Sequence, residues 1–375
     1  MRLPARLVIA CLAAIVLGVI GIAFAFAQSA RDGWLWILFN FVFFWGLASG
    51  MLAWAAAFRT AQATWVSAVN RLAHSALAFT PLLIVIFVAL LAGVSGYAPW
   101  FHDPQGKGPW LNVTSFVIRE VIAALLFWIP CWMLVRLSLK MDGYDHIDTS
   151  ERPSKRMNAI AVFTVAAYSV TASIVAWDFV MSLSLRWVST VFSAYYFSTS
   201  SYLGMAVIAI MAAILRKPLG IEDRLKPGQF HDMGNLLLAF SIFNMGLFYA
   251  QYVTIWYENL PDEVKFLILR YDKGIWQGPS WASFLIGYAI PFLLLQSRMI
   301  KLSPKMLSAV SVLIVLGVTL ERYILVVPSL RPHKLMIAPW GVLSLMGCTA
   351  IFILSVGWFL SLHSPISKAD EVLTK

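Results

Sequence analysis

Charge is what this sequence lacks most. Only 12% of its 375 residues are charged, and acids are scarcer than bases, 18 against 28. Cysteine is nearly absent: Cys11, Cys131 and Cys348 stand alone in apolar runs, with no CxxC or CxxCH pair. No iron–sulfur cluster, structural zinc or covalently attached haem is therefore expected on this chain alone. The three thiols are expected to be small packing residues. Histidine is equally sparse. His102, His146, His231, His333 and His363 fall in loops or at the borders of apolar runs, and only His74 enters one, near its end. A membrane b-type haem needs axial ligands inside spans, so none is expected. No GxxxxGK[ST], nucleophile elbow or HExxH occurs either.

What is present is hydrocarbon. Sixty per cent of the residues are hydrophobic, and the mean hydropathy is +0.79. Sixteen Trp and twelve Tyr suit interfacial belts. A soluble domain could not hide that much apolar surface, and a lipid-embedded segment must satisfy its backbone internally. The chain reads as an all-α polytopic membrane protein in a lipid bilayer. The formal charge of +10 does not point to nucleic acid, because the basic residues lie in short loops between spans, where topology explains them.

Ten apolar runs approach or exceed the ~20 residues a spanning helix needs: 7–27, 34–58, 74–98, 113–138, 158–183, 190–215, 235–257, 279–297, 307–328 and 340–362. The first follows Arg2 and Arg6 and ends in a cleavage-like Ala25-Phe26-Ala27. Its run is longer than the usual 7–15 residues of a signal peptide, so it is read as a helix. Eighteen Lys and Arg fall on the side of the two termini and eight on the other, the remaining two being Arg119 and Arg322 inside spans. This bias predicts cytoplasmic termini. It sets the loops at 99–112, 184–189, 258–278 and 329–339 outward and the basic loop from Arg136 to Arg156 inward. Within 258–278, the amphipathic piece Val264 to Tyr271 is expected to lie along the interface. The Pro- and Trp-rich loops 99–112 and 329–339 are expected to be ordered, as a partner-docking face or a plain surface cap.

The stretch Trp177 to Gly204 stands out. Asp178 sits near the end of span 5; a polar turn follows through Ser182, Ser184 and Arg186. The chain then re-enters the membrane through Tyr195, Tyr196, Ser198 and Tyr202. An ionisable group in a span costs roughly 2.5–3.5 kcal/mol on insertion scales, which marks a functional position. Arg119 and Glu120 in span 4, Asp178 in span 5, and Glu321 with Arg322 in span 9 all fall in the outer half of the membrane. Two readings follow. The bland one is helix-to-helix ion pairs such as Arg119 with Asp178. The other is an outward-opening pocket whose carboxylates take protons from a substrate. Along span 5, Thr164, Tyr168, Thr171 and Asp178 share one helical face and could carry protons toward Asp178, with Ser198, Ser200 and Ser201 adding hydroxyls on span 6. Such hydroxyls equally bond their own i−4 carbonyls or a neighbouring helix.

The block Trp177–Gly204, with Phe230-His231-Asp232-Met233-Gly234-Asn235, Trp256-Tyr257-Glu258-Asn259-Leu260-Pro261 and Glu321-Arg322-Tyr323, resembles the NrfD-like (polysulfide-reductase membrane subunit) family. Among its members the chain is most similar to the smaller such subunit of bacterial alternative complex III, a quinol:cytochrome c oxidoreductase. Leu111-Asn112, Phe116 and Arg119 also fit, and the likeness runs from about span 2 to span 9. It implies two four-helix bundles, here spans 2–5 (about 34–183) and 6–9 (about 190–328), with spans 1 and 10 peripheral. It also implies the bacterial inner membrane and a menaquinone or ubiquinone substrate. The implied partners are a periplasmic iron–sulfur subunit, a second NrfD-like subunit and c-type haem subunits; no redox group is implied on this chain. One departure matters: relatives follow the span-5 aspartate with an acid and a His before the Trp, where this chain has Ser184 and Arg186 before Trp187.

The leading expectation is a subunit of a respiratory quinol-oxidising complex. Asp178 and Glu120 would handle protons, and Arg119, Asp178, Glu321 and Arg322 would form the quinol site. A subunit that only anchors the complex or carries protons is the alternative. A secondary transporter would predict Gly/Pro-broken spans in matching halves, and none are present.

Overall fold

The computed structural model describes residues 3–142, 154–272, 274–335 and 338–367. Arg2, the loop stretch with His146 and Arg152, Lys273, Lys368 and Lys375 lie outside the described residues. Every described element is helical, and ten helices are long and apolar enough to span a bilayer. They are span 1 (Ala5–Gln28), span 2 (Ala30–Thr60), span 3 (Ser67–Ala92), span 4 (Val113–Asp142) and span 5 (Lys155–Leu183). Span 6 (Val191–Leu215), span 7 (Pro227–Glu258), span 8 (Gln277–Leu295), span 9 (Pro304–Leu330) and span 10 (Pro339–Leu362) complete the set. The chain is a multi-pass membrane protein.

The spans differ sharply in burial. In span 2, 94% of the most apolar stretch is buried, against 17% in spans 1 and 7. Span 2 packs on spans 1, 3, 5, 6 and 9, and span 6 on spans 2, 5, 7 and 9. These two helices form the centre of one continuous apolar core that draws side chains from every quarter of the chain. The close approach of spans 2 and 6 requires Gly50 and Gly204. A Cβ on Gly50 would lie 2.1 Å from the Ser200 carbonyl oxygen, and one on Gly204 would lie 2.5 Å from the Gly50 backbone. Spans 1 and 10 pack on each other in the same way, with a Cβ on Gly18 only 2.8 Å from the Gly347 Cα. Outward-facing side chains such as Ile9, Val19, Val85, Ile122 and Leu293 are large, apolar and exposed, which suits lipid and not water.

The two ends of the described residues lie on one face: Leu3 packs beside Gly357, and Ser367 is pinned by its N–H to the Ser67 carbonyl (3.2 Å) and by its hydroxyl to Ser138 (3.1 Å). The opposite, far face is tied together by polar contacts between connectors. Arg331 reaches Asp32 at 2.8 Å, Ser184 meets Ser329 at 3.0 Å, and Trp276 Nε1 donates to the Pro332 carbonyl at 2.7 Å. The Lys107 ammonium donates to the Leu185 carbonyl, joining the connector after span 3 to the turn after span 5. Partial burial there pushes the Lys107 pKa down, against the pull of nearby Glu263. The amphipathic piece is a helix, Pro261–Tyr271, as its pattern predicts.

Candidate functional site

Span 5 does not end as a plain α-helix. From Ala176 to Val180 it widens into a π turn, and Asp178 lies inside it; such turns recur at functional sites. Asp178 is wholly buried and points at span 4. Arg119 Nε donates to its Oδ2 at 2.7 Å, and Trp110 Nε1 donates to its Oδ1 at 3.0 Å. Arg119 Nη2 lies 2.7 Å from the same Oδ2, but at an angle that makes the contact electrostatic and not a second hydrogen bond. The guanidinium also stacks 3.9 Å above the Trp110 ring and bonds Ser115 Oγ at 3.0 Å.

Glu120, next to Arg119 on span 4, is 1% exposed, and its Oε1 has no hydrogen-bond partner. Asp178 is its nearest acidic neighbour, and both its oxygens already accept from Arg119 and Trp110. Two buried acids therefore stand beside one guanidinium. Tyr97 lies within electrostatic reach of both acids, and its buried hydroxyl has no partner.

Beside this pair the far face opens into a cavity of about 530 Å³. Its walls come from the connector after span 3 (Lys107, Trp110, Leu111) and from the end of span 5 and its turn (Trp177, Met181, Ser182, Trp187). Trp110 and Trp177 meet edge to face, 6.1 Å between centroids. Two polar groups face a ligand differently here. Ser182 Oγ is engaged with the Asp178 carbonyl at 2.6 Å, whereas the buried Trp187 Nε1–H has no acceptor. Volume, apolar walls and a few polar atoms match the usual make-up of small-molecule sites.

The four residues expected to form one quinol site divide into two groups. Glu321 and Arg322 sit among spans 6, 8 and 9, away from the Asp178 cavity. Arg322 is fully buried; its Nη1 donates to Glu321 Oε1 at 2.7 Å, and its Nη2 to Thr199 at 2.7 Å and Ser200 at 3.0 Å. The Tyr196 ring lies 4.2 Å below the guanidinium. Tyr288, in a second π turn (Leu285–Ala289), donates its hydroxyl to Glu321 Oε2. Glu321 lines a separate void of about 30 Å³ with Tyr195, Ser283 and Arg270. Adjacent sequence positions on one helix cannot reach a cavity two helices away, which is why the quartet is not one pocket.

The hydroxyl row on span 5 is also divided. Thr164 bonds its own Ile160 carbonyl at 2.7 Å, Tyr168 bonds the Phe197 carbonyl of span 6 at 2.9 Å, and Thr171 bonds the Ala123 carbonyl of span 4 at 3.0 Å. Each donor ends on backbone, so these four residues do not form a continuous hydrogen-bonded chain. Ser184 and Arg186, the two departures from the family pattern, face a neighbouring depression of about 380 Å³, where Arg186 pairs with Asp262 at 3.2 Å.

Sequence reasoning missed Trp110 and Trp187 as polar wall groups, since an indole in a connector reads as an interfacial anchor, and it missed the buried Tyr97 hydroxyl near the acids. It also missed Arg270, counted there as a loop cation. Arg270 is 1% exposed and donates to the Ile324, Phe266 and Leu325 carbonyls and to Ser329 Oγ, lying 3.7 Å over the Phe266 ring. Burial pushes its pKa down to about 9, which leaves it charged at neutral pH. Its i, i+4 spacing from Phe266 was the available signal.

What fold and site define is a class: a ten-span helical membrane protein with a buried acid–arginine group behind a far-face cavity. Comparison with protein-family models and with curated proteins returns no match to this chain.

Proposed function

We propose that the chain is an integral membrane subunit of a respiratory quinol-oxidising complex, with its own quinol site in the far-face cavity. One observation carries this reading: two buried carboxyls sharing one guanidinium stand directly behind a tryptophan-lined cavity large enough for a ring. The sequence blocks that resemble the NrfD-like family, and the smaller subunit of alternative complex III in particular, support it independently.

In this reading the far face is periplasmic and the membrane is a bacterial inner membrane. The quinol ring lies between Trp177, Met181 and Trp187. Trp187 Nε1 donates to one ring oxygen. Trp110 is the partition between the ring and Asp178, and it is 43% exposed, so its indole has room to swing aside. Oxidation releases two electrons and two protons. The electrons leave to an iron–sulfur cluster on a periplasmic partner, and c-type haem subunits and a second NrfD-like subunit complete the complex. Asp178 accepts one proton directly and Glu120, protonated beside it, passes its own inward; the second quinol proton leaves to water at the open mouth of the cavity. Arg119 fixes the orientation of Asp178 through Nε. Glu321 and Arg322 hold spans 6 and 9 together and do not touch the quinol.

A second reading has one observation in its favour. The hydroxyls of span 5 all end on backbone carbonyls, as they would in a subunit that only anchors the complex. Quinol-dependent electron flow in the assembled complex separates the two. With Asp178→Asn or Glu120→Gln it falls by about 10²–10⁴-fold if these groups do acid–base work. Unchanged flow in a fully assembled variant complex removes both residues from the chemistry and leaves the anchor.

A further inference from the structure

On the side of the acid pair away from the tryptophan cavity lies a second, smaller space. It holds about 40 Å³ between spans 2, 3, 4 and 5, walled by Phe41, Trp45, Phe87 and Trp128 and lined by Thr80, Glu120 and Thr171. Forty cubic ångströms excludes any ring, while about 10–15 Å³ suffices for one water that has polar partners. The polar partners are there and they are unmet. Glu120 Oε1 and Thr80 Oγ1 are both buried without a hydrogen bond. Thr80 shares this lack of a partner with Ser198, Ser280 and Ser311, whereas Thr164, Ser173, Thr254, Thr319 and Thr349 each bond the carbonyl four residues back; of the four, Thr80 is the one that lines a space with a carboxyl. Thr171, the third group, is already bonded to Ala123 O, but its oxygen can still accept.

We propose that this chamber is a built hydration site, in which two or three ordered waters bridge Thr80 Oγ1 to Glu120 Oε1, and that Thr80 is a positioning residue for Glu120. Buried polar atoms that lack a protein partner are met by ordered water, and a water here satisfies both orphans at once. Its consequence rests on the reading above: the acid pair would have the quinol on one side and water on the other. With a proton on Asp178, the Glu120 carboxyl would rotate, carrying its own proton from the Asp178 side to the chamber waters, so the route inward starts at Thr80 and not along Thr171, Tyr168 and Thr164. Asp178, Arg119 and Tyr97 are the charged or titratable groups that face Glu120 from the elements around it.

The hydration itself is testable without any quinol. In the purified full chain, infrared spectroscopy reads the protonated carboxyl stretch of Glu120, identified by its loss in Glu120→Gln. In Thr80→Val, which keeps the shape and removes the hydroxyl, the band moves to higher frequency as its hydrogen bond weakens, and Thr80→Ser restores it. Hydroxyl-radical footprinting of the unaltered protein in ¹⁸O-water then labels Trp45 or Phe41, which wall the chamber and are 3% and 1% exposed. In the assembled complex, Thr80→Val lowers quinol oxidation about three- to tenfold, the equivalent of one hydrogen bond. A missing Glu120 band, a band that Thr80→Val leaves in place, or chamber residues that take up no label overturn the hydration site, whatever the substrate is. A normal rate with a shifted band overturns only the route.

Discussion

The two buried acid–arginine groups use similar parts and reach opposite results. Each joins neighbouring Arg and Glu residues on one helix to a residue in a π turn of another: Arg119 and Glu120 to Asp178, Glu321 and Arg322 to Tyr288. The group at spans 8 and 9 is balanced and has little room. One carboxylate meets one guanidinium and a phenol caps the acid; of the Arg322 nitrogens only Nε lacks a partner, and Glu321 borders a void of about 30 Å³. The group at spans 4 and 5 is unbalanced and open. It has two acids to one guanidinium, orphaned atoms on Glu120 and Tyr97, and a cavity on its far-face side. A balanced, neutral pair stabilises packing; an extra acid with room around it can change its proton count. The comparison teaches that the inventory of intramembrane charges says less than their stoichiometry and their access.

The comparison breaks first at Arg322. Replacing it with Met leaves Glu321 buried and alone, and stability measured by thermal unfolding in detergent falls by ~3–5 kcal/mol. The double variant Glu321→Leu with Arg322→Met recovers most of that, because neither charge is left uncompensated. Arg119→Met has a smaller effect on unfolding, about 1.5–3 kcal/mol for lost hydrogen bonds to a charged group, since Arg119 is partly exposed. Equal losses from the two arginines would erase the distinction between a structural and a working group. Trp187→Phe keeps the aromatic wall and removes an N–H that has no acceptor in the protein. At the proposed quinol site, binding of a short-chain quinone, followed by calorimetry, weakens by about threefold to tenfold, as one hydrogen bond allows. The smallest effect belongs to the surface. Hydrogen bonds from Lys265 and then Arg186 hold the fully exposed Asp262 carboxyl below its usual range. Whatever that contact adds is present at neutral pH and fades as pH falls through the lowered value. Asp262→Asn therefore leaves the neutral-pH melting temperature unchanged within error and removes only a slight acid dependence.

The ten spans were legible because a bilayer demands about twenty apolar residues for each crossing, and no other compact architecture tolerates so many. The pairing of Arg119 with Asp178 was open to reason too, since both lie a few residues inside the same face of neighbouring spans. The split between the two groups was not. Distance from a span end gives depth in the membrane but says nothing of azimuth, and azimuth depends on which helices are neighbours. Span 2 against span 6 is set by Gly50 and Gly204, a contact between distant segments that no local period announces. The fates of Thr164, Tyr168 and Thr171 were undecidable for a related reason: a shared helical face fixes direction, while the nearest acceptor is a carbonyl on whichever helix packs there. Thr80 passed unnoticed, because what its hydroxyl meets is decided by the helices packed around it and leaves no mark in the local pattern.

The glycine contact between spans 1 and 10 bears on how the molecule is made. Gly347 leaves the ribosome 329 residues after Gly18. At synthesis rates of about 5–20 residues per second, the first helix waits on the order of tens of seconds for its mate. During that interval its glycine stripe faces lipid or a membrane chaperone, and the seam between spans 1 and 10 closes only once span 10 is inserted.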